Sequence, residues 1–171
     1  MVLGPDGKPA SDHLLLDPIR IEKGTVAPDA LAITNPLQAD IGDLRLLGYD
    51  LSKQGGGSTT EFGHGEFAIL TLYWQATAKP GADYQIMAQL RDERGQVVWQ
   101  QKAAPDQDLY PTGNWDKDEV VQDQHRMMIE AAPGHYSLLV GLVKGNQSIR
   151  PNVKGHTIAD GLFELTRIKI H

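Results

Sequence analysis

Across residues 43–143 apolar and polar positions alternate with a period of two, run after run, and turn-forming residues separate the runs. A period of two sends successive side chains to opposite faces of an extended chain, so the pattern predicts strands rather than helices. In the clearest run Tyr84, Ile86, Ala88 and Leu90 alternate with Gln85, Met87, Gln89 and Arg91, which predicts one apolar and one wet face. Asp92-Glu93-Arg94-Gly95 then closes a hairpin into residues 96–101, where Gly95 supplies the positive φ of a tight turn. Tyr136, Leu138, Val140 and Leu142 alternate as strictly, after a turn at Ala131-Ala132-Pro133-Gly134.

The remaining runs fill out the pattern. Residues 67–78 put Leu70, Leu72 and Trp74 on one face and Phe67, Ile69 and Tyr73 on the other, as expected of a central strand covered on both sides. Residues 43–51 precede it, with Leu44, Leu46 and Gly48 sharing a face, while Val121, His125, Met127 and Ile129 share one in a later strand. In residues 162–170 the apolar parity changes between Leu165 and Ile168, which predicts a β-bulge. Residues 14–21 read as a first strand, confined to a sheet edge because Pro18 removes a ladder donor.

Between these runs lie three connections. Residues 22–41, with Gly24, Pro28 and Pro36, read as a long surface connection, and residues 54–65, which hold five glycines, as a mobile loop. Residues 104–119 form a polar loop. Residues 1–13, with Gly4, Pro5, Gly7 and Pro9, read as a flexible leader or linker, and residues 14–171 as a single domain. No long helical period and no internal repeat appears. The expected fold is therefore all-β, a two-sheet antiparallel β-sandwich of eight or nine strands, immunoglobulin-like or jelly-roll-like.

Composition narrows the function classes. At 171 residues the chain suits one core, and no apolar run approaches the roughly 20 residues of a membrane-spanning helix. Sixteen basic against 22 acidic residues give a net charge of −6, which works against nucleic acid and anionic lipid surfaces as partners. The absence of cysteine removes disulfides, thiolate metal sites and cysteine nucleophiles together, and leaves the redox compartment open. The start of the chain, Met1-Val2-Leu3-Gly4, lacks the basic-then-apolar layout of a signal peptide, so the expectation is either a cytoplasmic protein or a piece of a longer one.

Several segments carry a resemblance: Leu70-Thr71-Leu72-Tyr73-Trp74-Gln75-Ala76, the hairpin from Gln89-Leu90-Arg91-Asp92 to Trp99-Gln100, and Tyr110-Pro111-Thr112 with Trp115. Ala132-Pro133-Gly134-His135-Tyr136 and Val140-Gly141-Leu142 follow in the same order. Together, over residues 42–170, they resemble the C-terminal extracytoplasmic β-sandwich domain of bacterial multi-pass glycosyltransferase-like (mannosyltransferase-like) membrane proteins. That resemblance implies an extracytoplasmic accessory domain in contact with a glycan or a neighbouring protein domain, tied to a membrane only through flanking helices that this chain lacks. It carries over no catalytic residue.

The candidate chemistry sits in the 104–119 loop. Tyr110 and Trp115 lie there beside Asp106, Asp108, Asp116 and Asp118, and aromatic faces next to carboxylates suit sugar recognition. Tyr110, Trp115, Asp116 and Asp118 are the expected ligand-binding residues of that reading; in the competing one both rings fold back to cap the sandwich. The pairs Asp106/Asp108 and Asp116/Asp118 also offer oxygens for calcium, although their spacing fits no EF-hand loop. The six histidines show no zinc-ligand spacing, and His125 in register with Met127 reads as a hydrogen-bonded core or rim residue. Gly55-Gly56-Gly57 lacks the lysine and following helix of a phosphate cradle. No nucleophile, base and orienting group stand at a recognisable spacing, so neither a catalytic residue nor a cofactor is expected. The resulting expectation is a non-catalytic accessory or interaction domain, with a carbohydrate-binding module as the first alternative and a small metal-assisted hydrolase as the second.

Overall fold

The computed structural model describes residues 27–106 and 108–171. The leader at residues 1–13 and the strand expected at residues 14–21 lie outside them. Among the described residues eleven strands follow in order: β1 (Asn35–Ile41), β2 (Leu44–Lys53), β3 (Glu61–Phe62), β4 (Phe67–Ala76), β5 (Gln85–Arg91), β6 (Val97–Ala103), β7 (Val120–Met128), β8 (Gly134–Lys144), β9 (Gln147–Ile149), β10 (Ile158–Ala159) and β11 (Leu162–Ile170). The helical structure among the described residues is confined to single 3₁₀ turns at Pro28–Ala30 and Thr112–Asn114. Eight of the strands are long, and β3, β9 and β10 are pieces of two or three residues beyond the eight or nine expected.

Two sheets pack face to face. One runs β1-β2-β4-β7, and the other β10-β11-β8-β5-β6, with β3 added to β11 and β9 to β8. All pairings are antiparallel except that of β3 with β11. Two contacts fix how the sheets lie over each other: the Tyr49 hydroxyl donates to the Leu165 carbonyl at 3.3 Å, and His125 on β7 meets Gln101 on β6. Between them the inward residues form one core, including Leu44, Leu46, Leu70, Leu72 and Trp74 from the first sheet. Ile86, Leu90, Leu138, Val140, Leu142 and Phe163 face them from the second.

The predicted alternation holds where the strands are regular. Tyr136, Leu138, Val140 and Leu142 are all buried, Leu138 completely. Leu138→Ala is expected to cost about 2–5 kcal/mol, the range for a cavity in a packed core, as read from chemical denaturation. A loss below about 1 kcal/mol would mean that its site collapses or was never packed. The bulge in β11 is also present, with the register against β8 shifting between Glu164 and Thr166.

Three expectations change. Residues 22–41 are not all surface connection, because β1 occupies Asn35–Ile41 and buries Ala39 and Ile41. In β2 the register shifts between Leu46 and Gly48, so Gly48 leaves the face of Leu44 and Leu46, and Tyr49 and Leu51 join it. The bulge needs glycine there: Gly48 has φ +152°, and a Cβ would lie 2.5 Å from the Asn35 carbonyl oxygen. In the glycine-rich loop, residues 55–57 are exposed, yet Phe62 is fully buried and β3 pairs with Lys169 and Ile170. Burial of one aromatic ring ties down the second half of a segment whose composition reads as mobile.

Candidate functional site

Residues 104–119 fold into a cap over one end of the sandwich. Trp115 is fully buried, donates its indole N–H to the Tyr110 carbonyl at 3.2 Å, and has its ring centroid 6.2 Å from that of Tyr110. The Tyr110 hydroxyl donates to Glu119 Oε1 at 2.7 Å, and the other carboxylate oxygen of Glu119 accepts the Asp116 N–H. Thr112, also fully buried, accepts from the Tyr84 N–H and donates to the Ala82 carbonyl. Lys79 Nζ reaches the Trp115 carbonyl at 2.7 Å. Tyr84 completes this end of the molecule: burial first, and then its hydrogen bond to Asp43, raise its pKa above the ordinary tyrosine value.

Of the four residues expected to bind a ligand, Trp115 is therefore inside and half-buried Tyr110 packs against it. The indole faces are withdrawn from the surface in this arrangement, which corresponds to the capping role. Asp116 and Asp118 keep exposed side chains, 3.5 Å from Lys79 and 3.8 Å from Lys117. The carboxylates offered for calcium serve the backbone instead at Asp108, whose Oδ1 accepts the Ala104 N–H at 2.6 Å. No group of three or more His, Asp or Glu among the described residues converges as a metal site.

Below the cap lies a buried pair that joins the two sheets. On β7, Asp123 and His125 face inward, 0% and 3% exposed, with His125 Nε2 and Asp123 Oδ2 2.6 Å apart. His125 Nδ1 lies 3.2 Å from Gln101 Oε1, and Asp123 Oδ1 accepts the Asp106 N–H at 3.0 Å. Every group in the set has a polar partner, as a buried polar network requires. His125 is thus the hydrogen-bonded core residue expected; Asp123, two positions before it on the same face, is buried with it.

A recess lies elsewhere, on the outer face of the second sheet. It is an open groove of about 390 Å³ floored by outward side chains of β5, β8 and β11, and walled by the β5–β6 turn and by β10. Arg91 is its anchor. The guanidinium donates from Nε and Nη2 to Gln89 Oε1 at 2.9 and 2.7 Å, while Nη1 lies 2.9 Å from Asp160 Oδ2, and the side chain is only 12% exposed. Glu164 accepts from the Ser137 hydroxyl at 2.8 Å and from Arg167 Nε at 3.2 Å. Gln89 and Arg91 hold each other on β5 and Ser137 holds Glu164 across β8 and β11, while Arg167 is 76% exposed.

None of Tyr110, Trp115, Asp116 or Asp118 lines this groove. One local signal pointed to it: Asp160-Gly161, both at positive φ (54° and 80°), makes the two-residue hairpin turn between β10 and β11. That turn delivers Asp160 to Arg91, 69 positions earlier in the chain.

No protein-family model matches this sequence, and neither does any curated protein. In structure the chain is similar to the C-terminal domain of wzt, with a TM-score of 0.61 at 8% identity, over 85% of this chain and 89% of that one. A weaker likeness joins it to a CARDB domain in complex with di-metal ions from Pyrococcus furiosus, with a TM-score of 0.42 at 8% identity over 76% and 94%. The first of these likenesses supports the β-sandwich fold.

Proposed function

We propose that this chain is a non-catalytic recognition domain, an extracytoplasmic accessory part of a larger membrane-associated protein of the glycosyltransferase-like kind, and that its ligand lies in the Arg91–Glu164 groove. The observation that carries the reading is the meeting, on the outer sheet face, of two hydrogen-bonded sets, Arg91 with Gln89 and Glu164 with Ser137 and Arg167. Planar amide, guanidinium and carboxylate groups offer paired donors and acceptors at fixed spacing, as vicinal hydroxyls require. Charge narrows the ligand further. Arg91 and Arg167 are set against Asp92, Glu93 and Glu164, so the lining has no cationic excess to hold a polyphosphate or an acidic polymer. A neutral, hydroxyl-rich glycan matches it best. The cap contributes rigidity at the far end of the domain rather than ligand contacts.

Titration of isotopically labelled protein with neutral oligosaccharides should move the amide signals of Arg91, Ser137 and Glu164 and leave Trp115 unmoved. Arg91→Lys keeps the charge but loses the fork, and should weaken binding about tenfold. Shifts centred on Tyr110 and Asp116, or no shift with any glycan, would remove the groove from this role.

A further inference from the structure

The acids that line the groove leave the charge of Arg91 unanswered. Glu164 is held by Ser137 and Arg167, Asp92 Oδ1 accepts the N–H groups of Arg94 and Gln96, and Glu93 makes no ion pair among the described residues. The counter-charge comes from Asp160, whose Oδ2 lies 2.9 Å from Arg91 Nη1 although its own side chain is 79% exposed against 12% for Arg91. Two glycines bring it there. A Cβ on Gly161 would stand 2.6 Å from Ser148 Cβ, and one on Gly141 would stand 2.6 Å from Leu162 Cδ2 and 3.0 Å from the Gly161 carbonyl oxygen. These bare positions let the β10–β11 turn lie down on β8, with Asp160 and Gly161 in its two left-handed places. A carboxylate tethered in this way faces the guanidinium at a high effective concentration.

We propose that Asp160 is the specificity-determining residue of this face: its carboxylate occupies the place on Arg91 that an anionic group of a ligand would take, and so turns away acidic glycans while neutral ones are admitted. The extension to glycans rests on the groove assignment above. A guanidinium so little exposed needs a counter-charge, and in the absence of Asp160 it would draw a carboxylate or phosphate from solution. Gln89 does not meet that need, because its Oε1 accepts from Nε and Nη2 but carries no charge. With Asp160 in place an external carboxylate must displace one that is already tethered. A hydroxyl has no such cost, since it can donate to the remaining lone pairs of Asp160 and Glu164 with the ion pair intact. Discrimination then comes from an element set against the wrong ligand rather than from a further contact with the right one.

Acetate, the simplest carboxylate, is the probe, titrated at constant ionic strength into the isotopically labelled whole chain. Asp160→Asn removes the charge and keeps a side chain of the same size, of a residue type that accepts the left-handed conformation. In that variant acetate should shift the Arg91 Nε–H signal saturably, at a concentration at least tenfold, about 1.4 kcal/mol, below any response of the native chain. Asp160→Gly, which the turn accepts without strain, should behave alike. Glu93→Gln takes an equal charge from the groove lining without touching Arg91, and its acetate response should match that of the native chain. For uronate-bearing and neutral oligosaccharides of equal length, Asp160→Asn should raise the ratio of acidic to neutral affinity about tenfold or more. Equal acetate responses in the native chain and both Asp160 variants, an equal gain from Glu93→Gln, or an unchanged ratio for oligosaccharides that do bind overturns the inference. If acetate separates the variants while no oligosaccharide binds any of them, the exclusion of carboxylates from Arg91 stands and the glycan groove falls.

Discussion

Trp115→Ala is expected to destabilise the protein by about 3–5 kcal/mol, the range for removing a fully buried large aromatic. The indole is completely enclosed, and its loss would leave a cavity and remove the hydrogen bond that the indole N–H gives the Tyr110 carbonyl. Tyr110 would lose the ring against which it packs, and the cap would loosen where Thr112 is pinned to Ala82 and Tyr84. Equilibrium denaturation of the variant measures the effect directly. A ligand-stacking tryptophan behaves in the opposite way, leaving stability almost untouched and weakening glycan binding. A loss under about 1 kcal/mol would therefore return Trp115 to the surface and reopen the sugar-stacking role of the cap.

Asp123→Ala should be about as costly, 3–5 kcal/mol, because it strips a buried imidazole of its carboxylate partner instead of deleting both groups together. The Asp106 N–H would lose its acceptor at the same time, so residues 104–119 should become more susceptible to limited proteolysis. Replacing both members by leucine is a sharper test. Asp123→Leu with His125→Leu removes the charge and the hydrogen-bonding demand together, and should recover much of the loss. A double variant no better than Asp123→Ala would show that the pair carries stability beyond mutual satisfaction. Gln101, which meets His125 from the opposite sheet, would then be the partner to remove next.

Strand character and inward faces were legible along most of the chain because a half-buried strand writes its orientation as a period of two. The run from Tyr84 to Leu90 and that from Tyr136 to Leu142 needed no other information. The bulge in β11 was legible for the same reason, since an extra residue reverses the parity on either side of it. The bulge in β2 escaped: Leu47 is as apolar as its neighbours, so the shift leaves no polar mark, and Gly48 looked like a face residue. Phe62 escaped through averaging, because a single buried ring in a glycine-rich stretch is outweighed by the composition around it.

The aromatic and acidic content of the 104–119 loop was plain, but its direction was not. An exposed sugar platform and an inward cap have the same composition, and the choice rests on whether Trp115 finds a space to fill, which the ends of β4 and β5 and residues 79–84 supply. Asp123 shows the same limit: an acid in a strand reads as outward until a histidine and an N–H from distant residues meet it inside. The groove lay furthest from view. Its residues are ordinary polar positions in β5, β8 and β11, and they converge because β8 pairs with both of the others, although some 70 residues separate Arg91 from Asp160 and Glu164. Alternation is local, so the chain carried its strands and their faces; which strands become neighbours is settled by long-range pairing, and with it which side chains share a surface.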